Sequence, residues 1–142
     1  MINVVLKPDV QRPGYYILQD IRNLPESTRQ RVVVRPHAWR PHTDVFETDE
    51  VVVVRVEIAG MEETGFTIVL DGRYLSIRGV RSDVHVPERR AYQQMEIRFG
   101  EFSSEVELPS DISLEHIEAV YSNGFLYVRL PKVRPVNIKV EE

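Results

Sequence analysis

Histidine side chains are the first candidates for chemistry in this 142-residue sequence. His37 and His42 lie five residues apart, and Asp44 follows His42 closely. Two histidines at this spacing on an irregular segment match no usual metal-binding pattern. His85 and His116 are isolated in the sequence. We therefore expect ordinary surface histidines and no bound metal.

Serine and acidic side chains give no stronger indication of catalysis. Ser103 and Ser104 lack the Gly-x-Ser-x-Gly turn that exposes a hydrolase nucleophile. Glu47, Asp49 and Glu50 resemble a paired-carboxylate site only in composition, and a solvated turn explains them better. The sequence has no cysteine and no Gly-x-x-x-x-Gly-Lys-Ser/Thr phosphate loop. It therefore predicts a protein that is not an enzyme and needs no cofactor.

The charge balance argues against nucleic acid as a partner. The chain has 18 basic and 22 acidic side chains, a net charge of −4, whereas general binding to phosphates requires a net basic surface. No stretch approaches the roughly 20 apolar residues that span a bilayer. Residues 1–7 have no basic region before a long apolar run, unlike a secretory signal. We expect a cytoplasmic protein with no transmembrane segment.

The elements that must position these side chains are strands. Valine and isoleucine together outnumber alanine and leucine by more than two to one, which favours strands over helices. Asp71-Gly72 and Asn123-Gly124 each predict a tight hairpin. The sequence predicts an all-β, immunoglobulin-like antiparallel β-sandwich of roughly 90 residues. Alternation of apolar and polar side chains, which is typical of half-buried antiparallel strands, recurs in five segments: 51–59, 66–71, 74–78, 102–108 and 125–130.

Three regions with different patterns define the expected domain organisation. Residues 1–41 are irregular and contain scattered prolines, residues 42–132 hold the alternating segments, and residues 133–142 form a short tail. The apolar clusters of the first region lack a clear period, which indicates a flexible or partner-ordered arm, although they could also belong to a core. Six residues of this arm are candidates for contact with other protein chains: Val4, Leu6, Tyr15, Tyr16, Ile17 and Leu18.

One connection within the predicted sandwich is unusually long. Residues 80–92 are polar and charged, and long loops in compact domains are commonly functional or flexible. The connection runs into Gln93–Ile97, which could form a strand. A strand on such a long arm could leave its own domain and pair elsewhere.

Residues 119–132, with the sequence AVYSNGFLYVRLPK, resemble the A-x-x-x-N-G-x-L…L-P-K signature of the small heat-shock proteins, the Hsp20 or α-crystallin family. Ile138-Lys139-Val140 resembles the I-x-I/V tail motif of that family. The resemblance covers residues 42–132 and the tail, so the middle region resembles an α-crystallin domain. Other similar pieces come in the family order: TDVFET at 43–48, VRVEIAGM at 54–61, LSIRG at 75–79, and FGEF at 99–102 leading to Leu108-Pro109.

This resemblance implies a homodimer that builds larger homo-oligomers through many weak contacts. A strand on the long loop would cross to the first strand of the partner, with dimer contacts at Asp44, Val45, Phe46, Tyr92, Gln93, Met95 and Ile97. Ile138 and Val140 of one dimer would insert into a groove of another dimer. The tail could instead add one strand to its own sheet. The groove residues implied are Ile68, Leu70 and Val120.

Two departures from the family pattern concern these contacts. Ser104 stands where the family often has arginine, so it cannot form the ion pairs of that side chain. Only Val133–Asn137 separate Lys132 from Ile138, and five extended residues reach roughly 17 Å. We therefore expect dimer and bridging contacts that differ from the usual ones.

The function that the resemblance implies is that of an ATP-independent holdase. Such a chaperone binds partly unfolded proteins through exposed apolar surface and prevents their aggregation under heat or other stress. Its partners would be further copies of itself and its unfolding clients. An alternative from a different class is a non-enzymatic adaptor or co-chaperone module that binds one folded partner. The tail motif and the long arm argue against the adaptor, because both are assembly devices.

Overall fold

The computed structural model describes residues 2–6, 38–84, 86–135 and 139–141. This part of the chain contains eight strands and one short 3-10 turn, Glu63–Gly65, and no helix in it is long and apolar enough to cross a membrane. The strands are β1 (Val4–Leu6), β2 (Thr43–Glu47), β3 (Val51–Glu57), β4 (Phe66–Asp71), β5 (Tyr74–Arg81), β6 (Gly100–Glu107), β7 (Glu118–Ser122) and β8 (Phe125–Pro131).

Two four-stranded sheets pack against each other across a shared apolar core. The first sheet has the strand order β1-β4-β5-β6, and the second has the order β2-β3-β8-β7. All pairings in these sheets are antiparallel except that of β1 with β4, which is parallel. The predicted all-β antiparallel sandwich is therefore confirmed.

The core consists of aliphatic side chains from alternate positions of facing strands. Val52, Val54 and Val56 of β3 have no solvent exposure, and Ile68 and Leu70 of β4 are 0% and 1% exposed. Burial of one such side chain stabilises the fold by roughly 1.5–3 kcal/mol. This alternation decides which face of each strand points inward, although Val53 on the opposite face of β3 is also buried, at 7% exposure.

Both predicted hairpins form, but their turns differ. Asn123 and Gly124 connect β7 to β8 with φ angles of 51° and 82°, as a type I′ turn requires. In the β4–β5 hairpin Asp71 pairs with Tyr74, so the central residues are Gly72 and Arg73, one position later than predicted. Of these two, only Gly72 has a positive φ, 59°, which is the pattern of a type II′ turn.

Both described segments of residues 1–41, which are residues 2–6 and 38–41, contribute to the sandwich. β1 pairs with β4, and Ile2 is only 7% exposed within the core. Trp39 packs against the same core and forms a parallel bridge with Phe102. These two segments therefore extend the fold beyond the predicted start at residue 42. Residues 7–37, which include Tyr15–Leu18, lie outside the described residues.

Candidate binding and assembly surfaces

The edge of β4 is covered by the N-terminal strand. β1 runs parallel to β4, with Val4 opposite Ile68 and Leu6 opposite Leu70. Side chains two apart on a strand share one face, so Ile2, Val4 and Leu6 point the same way. Ile2 is buried in the core and Val4 packs against it, whereas Leu6 is 37% exposed. The strand is therefore buried at its beginning and more exposed at its end.

The three residues of the predicted tail-docking groove lie on different faces of their strands, and the docking itself stays a prediction. Ile68 and Leu70 lie together on the inner face of β4. Val120, in contrast, is 53% exposed, while its neighbours Ala119 and Tyr121 pack against the core. Because side chains alternate along a strand, Val120 lies on the outer face of β7.

Tyr121 is an inward-facing residue that sequence reasoning missed. Its hydroxyl donates to the carbonyl oxygen of Ile58 at 2.7 Å and accepts from the amide of Met61 at 3.3 Å. Its ring lies 5.1 Å from the ring of Phe66, centroid to centroid. Phe66 begins β4, so Tyr121 joins β7 to the beginning of the strand that β1 covers. The amphipathic character of tyrosine was the available signal, because its polar tip needs a partner when the ring is buried.

An apolar cavity of about 320 Å³ lies at the end of β1, beside the edge of β4. Leu6, Leu70, Ile112 and Leu114 contribute its apolar lining. Arg73 and Asp111 lie at the same cavity and form an ion pair of 2.9 Å with each other. The cavity therefore offers room for an apolar side chain, while its nearby charges are already paired.

The C-terminal tail is attached to the sandwich up to Val133. The amide of Lys132 donates to the Glu50 carbonyl at 2.8 Å, and the amide of Val133 donates to the Asp111 carbonyl at 3.0 Å. Val140, in the predicted tail motif, is 84% exposed. The other motif residue, Ile138, lies outside the described residues. The docking of the motif thus stays a prediction.

A side-chain ion pair also fixes the beginning of the tail. The Lys132 ammonium lies 2.9 Å from the carboxylate of Glu47 at the end of β2. This hydrogen bond lowers the pKa of Glu47 below its ordinary value, and a hydrogen bond from Ser110 adds to the effect. Lys132, which directly precedes the tail, is therefore held at the end of β2 by its side chain.

The second sheet ends in β2, whose outer edge has no strand partner among the described residues. Val45 and Phe46 on this strand are 39% and 42% exposed. Asp44 accepts hydrogen bonds from Arg55, which raises the pKa of the Arg55 guanidinium, and that group lies 5.2 Å from the Phe46 ring centroid. The predicted acceptor strand for a partner is thus a free edge with apolar side chains and a fixed ion pair.

The predicted donor segment lies on the connection between β5 and β6. This connection forms no strand over its described residues, 82–84 and 86–99. Gln93 is exposed, and the exposed fractions of Tyr92, Met95 and Ile97 are 50%, 71% and 67%. Within a single chain, these side chains leave apolar area exposed to water.

The base of this connection is fastened by an aromatic and cationic cluster. The guanidinium carbon of Arg81 lies 4.5 Å from the Trp39 ring centroid and 5.5 Å from that of Phe99. Arg81 also donates to the carbonyl oxygens of Arg98 and Ala59. Cations stack on aromatic faces because the ring quadrupole is negative there. The cluster therefore holds the end of the arm against the sandwich.

Among the described residues, those first considered for chemistry form no metal-binding group. No group of three or more potential metal-ligating side chains forms among the described residues. Ser104 is fully buried, and its hydroxyl bonds to that of Thr43, while Glu47 pairs with Lys132. His42 and His116 are exposed on the surface, and His37 and His85 lie outside the described residues. These contacts assign Ser104 and Glu47 structural roles.

Comparisons of the sequence and of the structure with known proteins agree on one family. The model of the Hsp20/alpha crystallin family matches residues 44–142. Small heat shock protein C2 of Rickettsia felis is 30% identical over 92 residues, which are 65% of this chain and 60% of that relative. Heat shock protein 16 of Schizosaccharomyces pombe is 35% identical over 106 residues, 73% of this chain and 74% of that protein.

A solved structure has the same architecture. The small heat-shock protein of Xylella fastidiosa, described as having a distinct high order structure, superposes with a TM-score of 0.60 at 26% identity. The match covers 73% of this chain and 98% of that one. The sandwich architecture is therefore shared with a solved small heat-shock protein.

Proposed function

Because the chain belongs to the Hsp20/alpha crystallin family, we propose that it acts as an ATP-independent holdase that keeps partly unfolded proteins from aggregating. The observation that carries this proposal is the outer edge of β4, which the three-residue strand β1 covers, beside an apolar cavity lined by Leu6, Leu70 and Ile112. Unfolded chains aggregate through apolar area and unpaired strand edges. A surface that offers both features competes for the same segments.

The proposed activity requires binding and no bond-breaking step. Burial of apolar area holds a client, and this contribution is roughly proportional to the area removed from water. We therefore propose a non-enzymatic protein that releases or retains clients according to how much of its own apolar surface is accessible. Hydrolysis of ATP by this chain has no part in the proposal.

Self-association is the second part of the proposal. Residues 92–98 of one protomer would pair with β2 of its partner, placing Tyr92, Met95 and Ile97 near Val45 and Phe46. The exposure of these side chains supports this arrangement. The high order structure described for the Xylella fastidiosa relative supports assembly beyond the dimer. Docking of Ile138 and Val140 would supply the contact between dimers.

Client contacts are assigned first to the N-terminal apolar residues. Val4 and Leu6 lie in β1, so they would meet a client only after β1 separates from β4. Tyr15, Tyr16, Ile17 and Leu18 form a compact apolar cluster in the sequence between polar stretches. We propose that this cluster makes the main contact with unfolded segments, with the β4 edge as a second contact.

The test is light scattering from a heat-labile client at its denaturing temperature, without ATP. A folded protein of similar size and charge serves as the control. We expect suppression of scattering at nearly equal numbers of subunits and clients. No suppression at a temperature where this chain stays folded would contradict the holdase. A discrete monomer with one stoichiometric folded partner would instead favour the adaptor.

A variant of residues 15–18 tests whether these side chains contact the client. Changing Tyr15, Tyr16, Ile17 and Leu18 to serine should raise the scattering towards that of the client alone. The matched control changes Ser27, Thr28 and Gln30 to alanine within the same region and should suppress aggregation like the wild type. Equal activity of the two variants would remove the client contact from residues 15–18.

The proposed place of action is the cytoplasm. The sequence has no cysteine, so its fold does not depend on disulfides that form in an oxidising compartment. Fractionation of cells that express the full chain, followed by detection with an antibody, tests this assignment. Recovery of the chain outside the cytoplasmic fraction would contradict it.

A further inference from the structure

The two ends of the chain carry the same short pattern. Ile2-Asn3-Val4 near the beginning and Ile138-Lys139-Val140 near the end both place β-branched aliphatic side chains two residues apart. In an extended strand, side chains two apart lie on the same face. Each segment can therefore fill two neighbouring apolar positions along the edge of a sheet.

The structure shows which of the two segments holds the β4 edge. Val4 is paired with Ile68 and Leu6 with Leu70, and Ile2 reaches into the core. Residues 139–141 are exposed, with Val140 at 84%. The edge at which the family resemblance places the tail is thus occupied by the N-terminal strand.

We infer that β1 is a displaceable cover of the β4 edge, and that residues 2–6 of the chain compete for this edge with the tail of another copy. This inference rests on the proposed assembly of the protein and names its regulation. Mutual exclusion follows from geometry, because one strand edge can pair with only one further strand. Binding of the tail then requires β1 to leave.

The short length of β1 supports displacement. It spans three residues, and Val5 and Leu6 are 48% and 37% exposed. Elements with few buried contacts and exposed backbone open more readily than the rest of a fold. The outer part of β1 would therefore separate first, whereas Ile2 would leave last.

The third position of the series Ile2, Val4 and Leu6 explains why β1, and not the tail, holds the β4 edge. Leu6 lies at the cavity that Leu70, Ile112 and Leu114 line. In the same parallel register, the tail would place Glu142 where β1 places Leu6, because Glu142 follows Val140 by two. A carboxylate beside apolar side chains loses hydration, and Arg73 there is already paired with Asp111. The N-terminal strand is therefore the better fit of the two.

The first test measures tail binding with a labelled peptide of residues 133–142 added to the full chain, by fluorescence anisotropy. Val4→Asp places a charge on the inner face of β1, and Val5→Asp is the matched control on its outer face. An edge covered for roughly nine-tenths of the time has an apparent Kd raised about tenfold. We expect Val4→Asp to tighten peptide binding by about tenfold and Val5→Asp to leave it unchanged.

The peptide itself provides a second comparison in the same experiment. A peptide with Glu142→Leu should bind Val4→Asp more tightly than the natural sequence, because its third side chain can enter the cavity. Equal affinity of the natural peptide for wild type and Val4→Asp would overturn the inference. Absence of peptide binding to Val4→Asp would overturn it as well.

A reversible lock gives a result that does not depend on destabilising β1. Val5 is directly opposite Val69, neighbouring strands lie about 4.8 Å apart, and disulfides accept Cα separations of about 4.4–6.8 Å. Because the chain has no cysteine, the double variant Val5→Cys/Val69→Cys has one possible disulfide within the chain. We expect the oxidised variant not to bind the peptide and the reduced variant to bind it like the wild type.

The remaining outcomes decide against the inference. Equal peptide binding by the oxidised and reduced variants would show that β1 and the peptide do not share the edge. A disulfide-linked dimer on a non-reducing gel, in place of a closed monomer, would show that β1 covers a neighbouring chain. Neither measurement involves a client. A failure of the holdase proposal in light scattering therefore leaves the inference about β1 standing, and a failure of that inference leaves the holdase proposal standing.

Discussion

The hydroxyl oxygens of Thr43 and Ser104 lie 2.8 Å apart, and this contact joins β2 of one sheet to β6 of the other. The Thr43 hydroxyl donates to the Pro41 carbonyl oxygen at 3.0 Å. A hydroxyl has one proton to donate, so Ser104 is the donor towards Thr43. Ser104 has no solvent exposure. The position at which the family resemblance leads us to expect arginine therefore holds a small buried donor.

Replacement of Ser104 by alanine should destabilise the sandwich. The change removes one buried hydrogen bond and leaves Thr43 with its bond to Pro41, so we expect a loss of about 1 kcal/mol in the free energy of unfolding. Urea denaturation measures this quantity. Ser103→Ala, on the same strand but partly exposed, should change it by less than about 0.5 kcal/mol. Equal effects of the two variants would contradict the structural role of the Thr43–Ser104 contact.

Replacement of Ile97 by aspartate should weaken the proposed dimer. Ile97 is 67% exposed in one chain, and its burial against a partner would contribute roughly 2 kcal/mol per copy. A symmetric dimer buries two copies, so we expect about a 1,000-fold change in the dimer dissociation constant. Sedimentation equilibrium of the full chain measures the shift towards monomer. Gln94→Asp introduces the same charge on the same exposed segment and should leave the dissociation constant nearly unchanged. A dimer that is insensitive to Ile97→Asp would exclude this segment from the interface.

The strands of the sandwich were predictable because alternation is a local property of the sequence. Val52, Val54 and Val56 repeat every second residue and are all buried, and the Asn-Gly pair demanded the positive φ angles that the structure has. The orientation of β7 was harder to predict. Ala119, Val120 and Tyr121 can each face inward, and a shift of one residue exchanges the two faces of a strand. The buried partners of Tyr121, which fix its orientation, are distant in sequence.

The role of β1 was not predictable from periodicity. Its three residues are too few to establish a pattern, and it pairs in parallel with a strand that lies far along the chain. The cluster of Trp39, Arg81 and Phe99 escaped notice for the same reason, since only the fold brings these side chains together. The dimer and tail contacts stay predictions, because they depend on surfaces of more than one chain.

The ion pair between Glu47 and Lys132 should make part of the stability of the fold depend on pH. The Lys132 hydrogen bond lowers the pKa of Glu47 in the folded state. A carboxylate with a lowered pKa contributes stability above its unfolded pKa and loses that contribution as the pH falls through the folded pKa. Glu47→Gln should therefore lower stability near neutral pH and flatten its decline between about pH 6 and pH 3.

Urea midpoints measured across this pH range check the effect of Glu47→Gln. The difference from wild type should be small and should shrink with added salt, because exposed ion pairs are screened. Glu50→Gln, on the exposed turn that follows β2, is the control and should retain the wild-type pH profile. A profile of Glu47→Gln that parallels the wild type at every pH would contradict a role for this pair in anchoring the tail.

Replacement of Arg81 by lysine should loosen the arm that carries the proposed dimer segment. Lysine keeps the charge but lacks the planar group that stacks on Trp39 and Phe99 and donates to two carbonyl oxygens. We expect faster amide hydrogen exchange around Phe99 and a loss of about 1 kcal/mol in the free energy of unfolding. Arg89→Lys, at an exposed position of the same connection, should alter neither quantity. Unchanged exchange in Arg81→Lys would show that Arg81 does not fasten the arm to the sandwich.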